Sequence, residues 1–82
     1  MNKVNSMDSP TIIDREGNIT IVQFADRKYP AIALQGDTFH DLVDRVQRAM
    51  NGEAEVDLLS DLQEIQALYL KALERLRLRP PW

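Results

Sequence analysis

The chain has 82 residues, a net charge of −3 and no cysteine. A domain of this length buries only about 60–65% of the surface its unfolded chain exposes, and lack of thiols excludes disulfides, zinc–thiolate sites and a cysteine nucleophile. The single histidine, His40, excludes a site built from several imidazoles of one chain, and 13 acids against 10 bases argue against a general nucleic-acid binder.

Residues 1–10 are polar and read as a disordered leader. They lack the apolar stretch of a secretory signal. No segment approaches the roughly 18 consecutive apolar residues of a membrane span. The expectation is a soluble, cytoplasmic protein with no membrane contact. Residues 11–78 then form a single α+β domain, and residues 79–82 a C-terminal tail.

Within the domain, Thr11–Ile12–Ile13 can open a strand, and Ile19 to Phe24 is dense in β-branched residues, the strongest strand signal in the chain. Gly17 and Asn18 between them tolerate positive φ, so the two runs read as a hairpin. After a charged turn at Asp26, Arg27 and Lys28, Pro30 marks a strand start or an edge. Ala31 to Gln35 reads as a short buried strand. The expected sheet is small and antiparallel, with two to three strands.

Gln35–Gly36–Asp37–Thr38 is a strand-to-helix turn, with Gly36 allowing an unusual backbone angle. Thr38 and Asp41 match a capping box in which Asp replaces the usual Glu or Gln. Pro30, Gln35, Gly36, Asp37 and Thr38 are therefore taken as a structural turn and helix cap; the competing reading is an anion or peptide site at the helix N-terminus, against which the Asp37 carboxylate counts. Phe39, Leu42, Val43, Val46, Ala49 and Met50 then recur at helical spacing. Asp41 with Arg45 and Asp44 with Arg48 are i,i+4 pairs in the favourable order. Asn51–Gly52 stops this helix.

A second, longer amphipathic helix is expected from about Val56 to Leu78. Leu58, Leu62, Ile65, Tyr69, Ala72 and Leu76 form a heptad-like seam, flanked by Leu59, Leu68 and Leu73. Both helices are expected to pack over one face of the sheet. The stripe is wider than one small sheet face needs, so part of it is expected to meet a second chain, at Leu62, Ile65, Tyr69, Leu73, Leu76 and Trp82. Pro80–Pro81 is the expected helix stop.

Candidate chemistry is sparse. His40, near Asp37, Asp41 and Asp44, has the makings of a general base, but Ser6, Ser9 and Ser60 stand in no nucleophile motif. The three acids read as a solvated helix face near the positive end of the helix dipole. No cofactor, metal or catalytic residue is assigned, and the expectation is a protein that is not an enzyme. Asp37 to Glu64 holds eight acids against two arginines, while Lys71 to Trp82 holds four bases against one acid. That asymmetry fits an antiparallel homodimer joining the basic end to the acidic stretch, a basic tail on RNA or DNA, or an uneven surface alone; nucleic acid is the weaker option without a motif.

The run Arg27-Lys28-Tyr29-Pro30-Ala31-Ile32-Ala33-Leu34-Gln35-Gly36-Asp37-Thr38 resembles a family of small bacterial proteins of unknown function. That family carries Arg-x-aromatic-Pro-Gly, three residues, then Gln-Gly-Asp-Ser/Thr, followed by two helices. Ala31 stands here where the family has glycine. The resemblance spans about Ile19 to Leu76 and implies a fold but no activity. Over Tyr29 to Met50 the chain is also similar to HicB-type antitoxins, with Pro30, Gly36, Asp37 and Thr38 matching. Two functions are thus carried forward: a non-enzymatic protein-binding or regulatory module acting as a homodimer, and an antitoxin-like or immunity-like inhibitor of a toxin protein.

Overall fold

A computed structural model describes residues 10–82. Apart from Pro10, the expected leader lies outside the described residues. Three strands, β1 (Thr11–Glu16), β2 (Ile19–Gln23) and β3 (Ala31–Leu34), are followed by two helices, α1 (Gly36–Met50) and α2 (Leu58–Arg75). The strands form one antiparallel sheet in the order β1-β2-β3. The fold is α+β.

The hairpin forms where the glycine permits it. Gly17 has φ +59°, at the first position of a two-residue loop, as a type II′ turn requires. β1 runs three residues further than its apolar opening, to Glu16, and carries a bulge between Ile12 and Asp14. The extra residue puts Ile13 against the core and sets Asp14 opposite Ile21, on the same side of the sheet. Strict alternation would have turned Asp14 outward; the bulge re-aims it. Arg75 of α2 then reaches both the Asp14 carboxylate, at 3.9 Å, and the Ile13 carbonyl, at 3.4 Å.

The core is small. Ile21, on the central strand, lies under Leu68, Tyr69, Ala72 and Leu73 of α2. Ile21 and Ala72 are fully buried, and Ala72 leaves no bulky side chain between the α2 backbone and the sheet. α2 lies over β1 and β2, whereas α1 touches α2 rather than covering the sheet. The expectation that both helices pack over one sheet face thus holds for α2 alone. Tyr69 ties β3 to this core: its hydroxyl donates to the Pro30 carbonyl at 2.9 Å.

Both helix ends are closed by the same six-residue device. At the end of α1, Glu53 N–H donates to the Arg48 carbonyl and Gly52 N–H to the Ala49 carbonyl, with Gly52 at φ +89°. This is a Schellman motif, and the expected stop at Asn51–Gly52 is its sequence trace. At the end of α2, Leu78 N–H donates to the Leu73 carbonyl and Arg77 N–H to the Glu74 carbonyl, with Arg77 itself at φ +56°. The helix therefore ends at Arg75, short of the expected Leu78, and Pro80–Pro81 plays no part in stopping it. Packing of Leu78 back toward the core accompanies a conformation that ordinarily favours glycine.

The start of α1 also differs from the capping-box expectation. Gln35 is the N-cap, in extended backbone, and no side chain caps the helix. Thr38 lies inside the first turn, where its N–H donates to the Asp37 carboxylate at 2.8 Å. Gly36 is the first helical residue; it has no positive φ, and a Cβ there would meet nothing within 4 Å. Neither steric room nor backbone angle requires a glycine at this turn.

Candidate interaction surface

α1 repeats Phe39, Leu42, Val43, Val46 and Met50 along one face, yet no residue of α1 is buried. Phe39 is 57% exposed and Met50 82%. Across from this face, Ile32 and Leu34 of β3 point to the helix side of the sheet, because they pair with Ile21 and Ile19 of β2. α2 supplies Leu62 and Ile65. Together these residues line a groove of about 480 Å³ whose one polar side chain is Gln47. Through Ile32, Leu62 and Ile65 it continues into a second apolar hollow, bounded by Pro30, Tyr69 and Trp82. Neither the groove nor the hollow has a charged side chain in its lining.

One ion pair joins α1 directly to α2, and others tie α1 to the connection between them. Arg45 reaches Asp61 at 2.9 Å, Glu55 at 3.3 Å and Asp41 at 3.9 Å. Its hydrogen bond with Asp61, outweighing the opposing effect of burial, pushes the guanidinium further above its ordinary value. Arg48 pairs with Asp44 at 3.3 Å and with Glu55 at 3.7 Å. Both expected i,i+4 pairs therefore form. Several acids of the Asp37–Glu64 stretch are engaged within the chain, which leaves fewer of them for a basic tail of a second copy. Asp41, Arg45, Asp61 and Glu64 border a separate, smaller cleft of about 210 Å³.

The six residues expected at an interface divide into two groups. Leu62, Ile65 and Trp82 lie along the groove, and Leu76 is half-buried at the end of α2. Leu73 (1% exposed) and Tyr69 (7%) are core residues, packed with Ile21, and Tyr69 also borders the second hollow. A seam stepping by four and three identifies a helix face; here that face points partly at the chain's own sheet. Burial, with the nearby Tyr29, also pushes the Tyr69 phenol above its ordinary value. Trp82 folds back: its ring stacks on Tyr69 at 5.9 Å and 27°, although it remains 69% exposed. Of the two options for this tail, packing on the protein's own surface is the one observed. Phe39, Val43 and Val46 are the surface residues the interface expectation omits; their signal was the helical repeat itself.

Pro30 is buried at the start of β3, with its carbonyl held by Tyr69. Gln35, Gly36 and Asp37 are exposed at the start of α1. His40 is also exposed on the first turns of α1. Among the described residues no group of three His, Asp or Glu side chains is placed to hold a metal ion, and no helix is long and apolar enough to cross a membrane.

Residues 5–82 match the model of a Family of unknown function (DUF6959), and the chain belongs to that family. No curated protein and no solved structure matches it.

Proposed function

We propose that the protein is a small non-enzymatic module that works by protein contact, with a homodimer as its unit. The observation that supports this reading is the uncharged groove between α1, α2 and β3, which leaves Phe39, Val43 and Val46 exposed beside Ile32 and Leu62. Exposed apolar faces that continue across several elements are characteristic of interaction sites. Two copies that meet there remove both faces from water at once. The groove lining carries no charged side chain, which supports recognition rather than chemistry at this surface. The cysteine-free chain suits a reducing cytoplasm. The antitoxin-like alternative has the Pro30–Thr38 run behind it, and protection of cells against the product of a neighbouring toxin gene is its test.

Light scattering coupled to size exclusion checks the dimer. At high micromolar concentration the wild-type chain is expected at twice its 9.4 kDa mass. Val43→Glu, at an exposed position, is expected at the mass of one chain with an unchanged circular-dichroism spectrum. A wild-type mass of one chain across the whole concentration range removes the reading.

A further inference from the structure

We infer that the joint of this dimer is the outer edge of β3: two copies lay β3 against β3, antiparallel about a two-fold axis, and fuse their sheets into one. The inference rests on the homodimer reading above and gives it a geometry.

The two edges of the sheet are built differently. β1 is bent by a bulge between Ile12 and Asp14 and carries Asp14, Arg15 and Glu16. Charges, bulges, shortness and proline are devices by which edge strands avoid pairing with other chains. β3 is short and follows Pro30, but it has no charge and no bulge. Its four residues, Ala31 to Leu34, are uncharged and in unbroken register with β2. Among the described residues no strand lies on its outer side, and no loop or side chain bonds the main-chain groups of these four residues there. Such a row of unpaired N–H and C=O groups is a template for another strand.

The surroundings select the occupant. Beside this edge runs the groove formed with α1, and the nearby arginines Arg45 and Arg48 are already engaged by Asp41, Asp44 and Asp61. A matching partner brings a free strand edge and an uncharged apolar face on one segment. The β3–α1 segment of a second copy is such a surface, and a patch that matches itself closes under a two-fold axis.

Side-chain alternation then selects the register. Ile32 and Leu34 lie on the helix side, opposite Ile21 and Ile19, and Ala31 and Ala33 on the other. Both copies keep their helices on one side only if residues of the same face meet across the joint. An axis at any residue of the strand meets that condition, and the axes at Ile32 and Ala33 keep the most of Ala31–Leu34 paired. With the axis at Ile32, Leu34 would face Pro30, which has no N–H and whose carbonyl Tyr69 already holds. With the axis at Ala33, Ile32 faces Leu34 of the second copy, and the two grooves close over the joint.

The absence of cysteine makes the joint testable. Facing residues of antiparallel strands have Cβ atoms about 4.5–5.5 Å apart, near the range a disulfide spans. Under mild oxidation Ala33→Cys is expected to give a covalent dimer at least tenfold faster than Leu59→Cys, on exposed α2 surface, or Arg15→Cys, on β1. Ala33→Lys sets two ammonium groups face to face at an exposed position; its mass is expected to fall to one chain with an unchanged spectrum. If the wild type is a dimer, but Ala33→Cys oxidises no faster than Leu59→Cys and Ala33→Lys stays dimeric, the β3 joint is overturned and the dimer stands. A monomeric wild type overturns both.

Discussion

The two helices are both amphipathic, and they end in opposite conditions. α2 places Leu68, Tyr69, Ala72 and Leu73 in the core over β1 and β2. α1 buries nothing, although Phe39, Val43 and Val46 repeat at helical spacing. The difference is one of geometry. β2 is the central strand and α2 lies across it, while β3 is an edge whose helix-side residues α2 does not cover. A helical repeat shows that a face needs cover; the sheet already covered by α2 cannot provide it for α1. The β1–β2–α2 half is a core, and the β3–α1 half is an open wall attached to it.

The strongest test of that division compares substitutions in the two halves. Leu73→Ala is expected to cost about 2–5 kcal/mol, because it removes a fully packed side chain and leaves a cavity. Val43→Ala, on the open wall, is expected to stay within about 0.5 kcal/mol for the dilute chain. Urea titration of both at low concentration checks the contrast, and equal losses would merge the halves into one core.

Tyr69→Phe probes the tie between the halves. It leaves the buried Pro30 carbonyl without its donor, and about 1–3 kcal/mol is expected to be lost. The phenol titrates higher in the fold than when unfolded, so the folded state binds the extra proton. The associated stability is complete below about pH 10, the ordinary tyrosine value, and falls as pH rises through the folded value. Thermal melts from pH 8 to 11 should therefore decline less steeply at the alkaline end for Tyr69→Phe than for the wild type.

The two smallest predicted effects are gains, one in each half. Arg77→Gly relieves a left-handed residue at the end of α2 and is expected to add about 1 kcal/mol. Gly36→Ala, at the start of α1, meets no steric obstacle and restricts the unfolded chain, for about 0.4–1 kcal/mol. Differential scanning calorimetry resolves both. A loss at Gly36→Ala would show that the bare half depends on a conformation only glycine adopts.

Local chemistry made much of the fold legible. The β-branched run from Ile19 to Val22, the Gly17–Asn18 loop and the Asn51–Gly52 stop each carry their cause within a few residues, and each is where the sequence places it. The features that escaped depend on distant partners. The bulge in β1 exists because β2 pairs with it, so the run Ile12 to Asp14 alone does not show it. Gln35 has no capping side-chain bond to announce the start of α1, which is why Thr38 looked like the cap. Arg77 adopts a glycine-like angle where Leu78 packs toward the core, and no glycine marks the spot. The candidate surface was half legible: Leu62, Ile65 and Trp82 lie along the groove, but periodicity could not show that Tyr69 and Leu73 turn to the sheet or that the face of Phe39 and Val43 stays open.

The turn at Arg77 has an optical consequence. By reversing the chain it brings Trp82, the one tryptophan, onto Tyr69. The molecule thus carries its own fluorophore on the lip of the groove, next to a tyrosine close enough to pass its excitation on. Indole emission and tyrosine-excited transfer report seating of the last residues without any label, and a tag added after Trp82 would disturb that signal first.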